Sequence, residues 1–386
     1  METNKKETPV LLLTGYLGSG KTTLLNRILK NTKGIKFAVI VNDIGEVNID
    51  AGLIESGGVV GQSDDSLVAL SNGCICCTLK MDLVKQLNDI INMKRFDYIV
   101  IEASGICEPA PIANTISTYS QLISPELLKN GAARLDAIVT VVDAKRLLDE
   151  FEGGDDLQKE HDEEDLASLV IQQIEFCNII LLNKADMVSK EQLAHIHAIV
   201  RALQPQAQIF ECNYGDVDLD KILNTHSFDF EKVSTSAAWI EAIEDEEDGG
   251  HEHSLENEES GEALEYGIGT FVWQRREPLD LSRFDEWVAT KWPSSVIRAK
   301  GICYFRDELD TCYVFEQAGK QFNIRNAGKW YACMPKNELD ALLERNPQLA
   351  EQWDEKWGDR MEKIVFIGQN MDRKDIEAQL DACLNK

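Results

Sequence analysis

The stretch VLLLTGYLGSGKTTLLNRILK, residues 10–30, decides the fold of the N-terminal part of this chain. An apolar run leads into G-Y-L-G-S-G-K-T, and an amphipathic run with helical periodicity follows it. This is the pattern GxxxxGK[ST] between a strand and a helix, which is typical of a P-loop. Its glycines let backbone N–H groups curl around phosphate oxygens, and the helix N-terminus attracts the anion. The stretch therefore predicts a nucleotide site.

The loop residues have distinct predicted roles. Lys21 is expected to reach the β- and γ-phosphates, and the hydroxyl of Thr22 is expected to bind Mg²⁺. Both are therefore also candidate catalytic residues. The residues expected to hold the nucleotide in this loop are Gly15, Gly18, Ser19, Gly20, Lys21, Thr22 and Thr23.

Short Val/Ile/Leu runs alternate with longer amphipathic stretches from Pro9 to about Gln208. This alternation predicts an α/β domain, residues 1–235, with the mostly parallel sheet of a P-loop NTPase. The clearest predicted strands are VLLLT (10–14), FAVIV (37–41), DYIVIE (97–102), DAIVTVV (136–142) and NIILL (178–182).

The pattern changes after an acidic stretch, which we expect to be an exposed linker over residues 236–266. Residues 241–265 contain twelve Asp or Glu residues and almost no apolar periodicity. Residues 267–386 then predict a smaller α+β domain with a mainly antiparallel sheet. Its predicted strands are GTFVWQ, VIRAKGICYF, TCYVFEQA, KQFNIR and KIVFIG, and its predicted helices lie near 281–292, 336–357 and 372–384.

Two further motifs follow predicted strands. DYIVIE ends in Glu102 and continues A-S-G, which places a carboxylate at the strand tip and the N–H of Gly105 where a γ-phosphate can be sensed. NIILL runs into N-K-A-D, where the carboxylate of Asp186 can accept both guanine N–H groups that adenine lacks. The expected base-binding residues are thus Asn183, Lys184 and Asp186, with Cys212, Asn213 and Tyr214 as possible neighbours.

Three cysteines, Cys74, Cys76 and Cys77, crowd into LSNGCICCTL at residues 70–79. They are candidates for core packing, a vicinal disulfide, a redox site or a metal site. The flanking glycine and threonine favour a turn, a bridge between adjacent cysteines would be strained, and redox pairs are usually spaced C-x-x-C. A turn lets thiolates converge, and thiolates select Zn²⁺ over Mg²⁺. We therefore favour metal binding.

The surroundings of the cysteines support this interpretation. Thr78 is predicted to cap a helix, whose positive end would lower the thiol pKa. Three thiolates leave a tetrahedral ion one ligand short, and Glu46 in the polar loop N-D-I-G-E is the candidate fourth ligand. The apolar positions of that helix are Leu83, Val84, Leu87, Ile90 and Ile91.

Composition narrows the possible partners and compartment. The formal charge of −28 opposes a phosphate backbone, so nucleic acid is not an expected partner. No apolar window is long enough for a membrane span, and the polar first residues do not resemble a signal peptide. We expect a cytoplasmic protein without a membrane partner, whose other seven cysteines are reduced core thiols.

Taken together and in order, GYLGSGKTT, NDIGEVNID, LSNGCICC, EASG and NKAD resemble the CobW-type GTPase metallochaperones. This is the CobW/HypB/UreG-like group of SIMIBI-class P-loop GTPases, and the resemblance is to its zinc-associated branch. The resemblance implies GTP hydrolysis coupled to delivery of zinc, or of cobalt in some members, to a client metalloprotein. The family's CxCC metal ligands are matched by Cys74, Cys76 and Cys77, and a contributing acidic residue by Glu46.

The same resemblance adds two candidate catalytic residues to Lys21 and Thr22. The family's Walker B carboxylate is matched by Glu102, and the switch residue near Mg²⁺ by Asp43. Many relatives carry a histidine-rich stretch between domains, whereas this linker offers only His251 and His253. The resemblance is compatible with association of the chain into a homo-oligomer.

Two other function classes compete with a GTPase metallochaperone. A P-loop kinase acting on a small molecule would need an arginine-bearing lid, but residues 52–71 contain no Arg or Lys. A passive zinc-binding or storage protein would not need an intact nucleotide site. Since no arginine finger or water-positioning glutamine is evident, slow intrinsic turnover is expected.

Overall fold

A computed structural model describes residues 7–30, 33–41, 69–71, 80–152, 166–229, 267–319, 321–351 and 353–384. The chain divides into two compact units between Ala237 and Ala238. The predicted acidic linker, residues 236–266, lies outside the described residues, and so do His251 and His253.

The N-terminal unit is built on a parallel sheet with seven strands in its described part. The strands are β1 (Glu7–Thr14), β2 (Phe37–Val41), β3 (Ala69–Ser71), β4 (Tyr98–Glu102), β5 (Ala132–Asp143), β6 (Ile179–Asn183) and β7 (Gln208–Glu211). Their spatial order is β3-β2-β4-β1-β5-β6-β7, and every pairing is parallel. All five predicted strands are confirmed. Strands β2, β4 and β6 are buried along their whole length, as continuous apolar runs require.

Helices connect these strands. They are α1 (Lys21–Leu29), α2 (Lys80–Met93), α3 (Pro109–Ser117), α4 (Tyr119–Leu122), α5 (Ala144–Glu152), α6 (Leu166–Glu175) and α7 (Lys190–Leu203). The predicted helix after the cysteines is confirmed as α2, and its five predicted apolar residues are buried. The order of β1 and β4 places Thr14 and Glu102 at the same edge of the sheet. This edge carries the candidate site.

The C-terminal unit is an antiparallel sheet in the order β11-β10-β9-β12-β8. Its strands are β8 (Ile268–Arg275), β9 (Val296–Phe305), β10 (Glu308–Ala318), β11 (Gln321–Lys329) and β12 (Glu362–Gln369). Its helices are α8 (Leu281–Lys291), α9 (Lys336–Arg345), α10 (Pro347–Glu351) and α11 (Arg373–Cys383). An aromatic core that includes Trp273, Phe284 and Phe366 joins the sheet to α8 and α11. The predicted α+β class is confirmed.

One predicted element of this unit is wrong in its extent. The sequence predicts a helix near 336–357, but α9 ends at Arg345 and the shorter α10 begins at Pro347. Proline lacks an N–H and disfavours helical geometry in the residue before it, and Asn346 accordingly has φ −127° and ψ 88°. Further on, Asp354 and Gly358 pair across a turn instead of continuing a helix.

No helix in the described part of the chain combines the length and the apolar composition needed to cross a bilayer.

Candidate nucleotide-binding site

The predicted P-loop lies between the end of β1 and the start of α1. Gly15 has φ +133°, and a Cβ there would lie 2.3 Å from the carbonyl oxygen of Val141. Gly20 has φ +110°, and a Cβ there would lie 2.3 Å from Nδ2 of Asn183. Both positions therefore require glycine for two reasons, the left-handed backbone and the contact with a neighbouring strand.

The side chain of Lys21 folds back over the P-loop and contacts the first residues of that loop. Its side chain is buried, and Nζ donates to the carbonyl oxygens of Gly15 at 2.7 Å and Tyr16 at 3.2 Å. The ammonium group thus lies within the turn of the P-loop, where the sequence places a contact with phosphate. Ser19 differs, because its hydroxyl is buried beside Gly15 and has no hydrogen-bond partner among the described residues. Its N–H donates to Tyr16 O at 3.1 Å.

The first turn of α1 meets the end of β4. Thr22 Oγ1 donates to Glu102 Oε1 at 2.9 Å, and Glu102 is only 2% exposed. Strand β4 lies between β1 and β2, which brings the two predicted residues together although 80 positions separate them. A hydroxyl beside a carboxylate is the oxygen donor set that Mg²⁺ prefers in nucleotide sites. These two residues therefore fit the predicted magnesium ion.

The loop after β4 touches the P-loop directly. Ala103 N donates to Leu13 O at 2.9 Å, and a Cβ on Gly105 would lie 2.6 Å from the backbone nitrogen of Leu17. On the other side, Gln173 Nε2 donates to the carbonyl oxygens of Gly105 and Cys107 at 3.1 and 3.3 Å. Sequence reasoning missed Gln173, because a single glutamine in an amphipathic helix gives no signal.

Asn183, the last residue of β6, joins the N-K-A-D motif to the P-loop. Its Nδ2 donates to Ser19 O at 2.7 Å, and its Oδ1 accepts from Gly215 N at 3.0 Å. The residue is 1% exposed, so both hydrogen bonds are shielded from water. The structure thus brings the predicted base-binding segment and the predicted phosphate loop into one site.

The next residues of the motif differ in exposure. Lys184 has a left-handed backbone, φ +59°, and its ammonium pairs with Asp143 Oδ2. Asp186 is exposed, its N–H donates to Asn213 Oδ1 at 2.9 Å, and its carboxylate is open to a ligand. The turn after β7 therefore lies beside the N-K-A-D segment.

A cleft with a mostly apolar lining opens next to the P-loop. It contains about 430 Å³ of empty space including its mouth, and Tyr16, Thr140, Asp143, Arg146 and Gln173 are among its lining residues. The guanidinium of Arg146 lies 4.4 Å from the centre of the Tyr16 ring, a cation–π arrangement. Asp143 and Arg146 were not predicted, since they follow β5 without a recognisable motif.

The predicted transition-metal and switch residues lie outside the described residues; they are Asp43, Glu46, Cys74, Cys76 and Cys77. The described strand β3 ends at Ser71 and the described helix α2 begins at Lys80. Because β3 is parallel to β2, Ser71 lies at the same sheet edge as Val41, which is paired with Glu102. Within the described ranges, no three His, Cys, Asp or Glu side chains are grouped in a way that would hold a metal ion.

Comparison with known families gives two matches that together span both units. Residues 9–211 match the family described as CobW/HypB/UreG, nucleotide-binding domain, and residues 268–384 match the Cobalamin synthesis protein cobW C-terminal domain. The chain belongs to the CobW/HypB/UreG family. This membership confirms the resemblance carried by the motifs, and it agrees with a P-loop flanked by N-K-A-D.

Several curated proteins are similar to this chain over nearly its whole length. The zinc-regulated GTPase metalloprotein activator 1 of Dictyostelium discoideum is 37% identical, over 97% of this chain and 79% of that protein. The zinc chaperone YjiA of Escherichia coli is 27% identical, over 96% of each. Among solved structures, Zn(II)-bound YjiA GTPase from E. coli aligns with 98% of this chain and 100% of that chain, at 21% identity and a TM-score of 0.41.

Proposed function

We propose that this GTPase of the CobW/HypB/UreG family uses its nucleotide cycle to bind zinc and deliver it to a client metalloprotein. The observation that carries the nucleotide part is the convergence of three motifs, in which Thr22 contacts Glu102 and Asn183 contacts Ser19. The zinc part rests on the thiolate chemistry of the CxCC motif and on relatives named a zinc-regulated GTPase activator and a zinc chaperone.

The phosphates of GTP are expected to lie on the P-loop. The backbone N–H groups of the loop and the start of α1 attract the anion, so an acidic protein needs no basic surface to bind it. Lys21 is expected to exchange its carbonyl partners for phosphate oxygens. Thr22, Glu102 and the predicted switch residue Asp43 would hold Mg²⁺, which neutralises phosphate charge when bound.

Guanine is expected to bind at the turn formed by the N-K-A-D segment. The exposed carboxylate of Asp186 is the proposed acceptor for the two guanine N–H groups, which gives selectivity against adenine. The aliphatic stem of Lys184 is proposed to cover the base. Asn183 is proposed to stabilise this turn. Its hydrogen bond to Ser19 O connects the segment proposed to bind the base with the P-loop.

Zinc is proposed to bind to the thiolates of Cys74, Cys76 and Cys77, with Glu46 as fourth ligand; cobalt is the alternative cargo. The cysteines and Glu46 both lie in the chain between the P-loop and Glu102. Contacts of the γ-phosphate with the 43–50 loop and with Gly105 can therefore bias how the ligands converge, and hydrolysis would release the ion to the client.

A reducing, cytoplasmic location is part of this proposal, since thiolate cargo sites must stay reduced. All seven described cysteines are free, and five of them are buried. Burial raises the pKa of the thiol of Cys212 to about 11 and of Cys177 to about 12. Such thiols are unreactive at neutral pH, so they would not compete with the CxCC site for metal.

The proposal is tested by measuring zinc affinity of the full chain with a non-hydrolysable GTP analogue and with GDP. We expect the two affinities to differ by about a hundredfold, which corresponds to about 2.7 kcal/mol. Cys76→Ser should abolish tight zinc binding and leave GTP binding unchanged, whereas Cys383→Ser, a buried control in the C-terminal unit, should change neither. Equal zinc affinities in both nucleotide states would refute the coupling.

A further inference from the structure

Gln173 is a buried polar residue that none of the recognised motifs contains. It lies near the end of α6, is 1% exposed, and directs its side-chain amide at the loop after β4. Nε2 donates to Gly105 O at 3.1 Å and to Cys107 O at 3.3 Å. A glutamine amide carries two N–H donors, and here both are directed at backbone carbonyls of one short loop. The side chain therefore fixes the position of that loop.

The loop is fixed at the point where it meets the P-loop. A Cβ on Gly105 would lie 2.6 Å from the nitrogen and 2.8 Å from the Cγ of Leu17. Gly105 is thus in close contact with the P-loop on one side and hydrogen-bonded to Gln173 on the other. A small movement of the Gln173 amide would change the distance between the Gly105 backbone and any phosphate on the P-loop.

Gln173 is also tied to the strand that leads into the P-loop. Its carbonyl oxygen lies in the last turn of α6, where helix carbonyls lack intrahelical partners, and it accepts from Thr140 Oγ1 at 2.9 Å. Thr140 Oγ1 is also 2.8 Å from Thr14 Oγ1, and Thr14 directly precedes Gly15. A chain of buried hydrogen bonds therefore runs from the start of the P-loop, through Gln173, to Gly105.

We propose that Gln173 is a positioning residue that makes nucleotide affinity depend on the third phosphate. It does not touch the nucleotide; it holds the loop of residues 103–107 so that the N–H of Gly105 is presented to the γ-phosphate. The inference rests on the proposed nucleotide site. GDP has no γ-phosphate, so its affinity should be insensitive to Gln173.

The test compares Gln173→Met, which keeps the length of the side chain but removes both donors, with Gln172→Met. Gln172 is the adjacent residue of α6, and its amide contacts Ser168 Oγ within the helix instead of the loop. Affinities for a non-hydrolysable GTP analogue and for GDP are measured on full-length protein by titration, and thermal unfolding confirms that each variant is folded. We expect Gln173→Met to weaken the GTP analogue about tenfold and GDP less than about twofold, because two loop carbonyls lose their donors. Gln172→Met should weaken neither.

Gln173→Glu serves as a second variant if the methionine variant unfolds, because it is similar in shape but places a carboxylate against the two carbonyls. A GTP-to-GDP affinity ratio equal to that of the wild type overturns the proposal, and so does an equal loss of affinity for both nucleotides, which indicates a purely structural role. Failure of the wild type itself to bind guanine nucleotides refutes the proposed nucleotide site, so the two failures are distinguishable.

Discussion

Asn183 connects two loops that are far apart in the sequence. Its Nδ2 donates to Ser19 O and its Oδ1 accepts from Gly215 N, and the residue is almost fully buried. A buried amide with both ends paired rigidifies the loops that it joins, since breaking either bond leaves a polar group without a partner. The shape of the P-loop at Gly20 therefore depends on a residue of the N-K-A-D motif, which is proposed to bind the base.

Asn183→Asp is expected to weaken guanine nucleotide binding by about 10- to 100-fold. The new carboxylate still accepts from Gly215 N, but it faces Ser19 O without a donor, and such a loss costs roughly 1–3 kcal/mol. A titration with a fluorescent GDP analogue measures the effect. The matched control is Asn178→Asp, where the side-chain oxygen accepts from Ile138 N and can still do so. Equal affinities of the two variants would contradict the proposed role of Asn183.

Individual site residues can be predicted from the sequence where they belong to a motif that requires a particular local backbone geometry. Gly15 and Gly20 have the positive φ values that the P-loop pattern requires, and Thr22 meets Glu102 as the pairing of motifs implies. Gln173 could not be predicted, because its contact with Gly105 spans 68 positions and depends on how α6 packs. A side chain that acts only through tertiary contacts leaves no local pattern in the sequence.

Asp143 links three elements at the edge of the sheet. It ends β5, its Oδ1 accepts from Arg146 N at 3.2 Å in the first turn of α5, and its Oδ2 pairs with Lys184 after β6. One carboxylate thus satisfies an N–H at the start of a helix and anchors the lysine of the N-K-A-D motif. The alignment of β5 with β6, in which Asp143 is opposite Asn183, makes this possible.

Asp143→Asn should weaken guanine nucleotide binding about fivefold, because loss of a partly buried ion pair of about 1 kcal/mol releases the Lys184 side chain, which is proposed to cover the base. The amide oxygen still accepts from Arg146 N, so the helix start should be preserved. Nucleotide titration measures the effect. Asp149→Asn, which breaks the exposed Lys145–Asp149 pair on the same helix, is the control and should bind as the wild type. An unchanged affinity of the Asp143 variant would argue against this anchoring role.

Elements with long apolar runs are predictable, and short or interrupted ones are not. Strands β2, β4 and β6 are buried along their whole length, and their Val/Ile/Leu runs show this in the sequence. Strand β3 has three residues, Ala69–Ser71, which is too short for any periodicity to be visible. The predicted helix near 336–357 followed apolar spacing across Pro347, where the missing N–H starts a new element.

The whole molecule carries a formal charge of −28, so the protonation of its carboxyl groups affects its stability. Two glutamates of the C-terminal unit, the buried Glu362 and the partly buried Glu316, lie in opposite environments. Burial raises the pKa of Glu362 well above its ordinary value, although its side chain accepts from Leu279 N at 3.2 Å. Burial alone would also raise the pKa of Glu316, but the adjacent Lys300 lowers it.

The two glutamates should therefore affect the pH dependence of stability with opposite signs. Above the ordinary pKa of glutamate, about 4.3, unfolding of the Glu362 site releases a proton, so stability falls as pH rises towards the native pKa. Glu316 ionises more readily in the native state, so its contribution is present above that pH and is lost as pH falls through its native pKa. Glutamine at either position removes the titration while keeping the shape of the side chain.

Glu362→Gln is expected to stabilise the protein at pH 8 and to have little effect at pH 4, where the native carboxyl group is protonated and the unfolded one is mostly protonated. Each unit by which burial raises the native pKa costs the wild type about 1.4 kcal/mol at a pH above that pKa. Glu316→Gln, the control, should destabilise at pH 8 by about 1 kcal/mol through loss of its ion pair. All seven tryptophans lie at residue 239 or later, so tryptophan fluorescence in a urea titration follows unfolding of the C-terminal unit. A Glu362→Gln variant that is less stable than the wild type at pH 8 would show that Glu362 is ionised and stabilising in the native state.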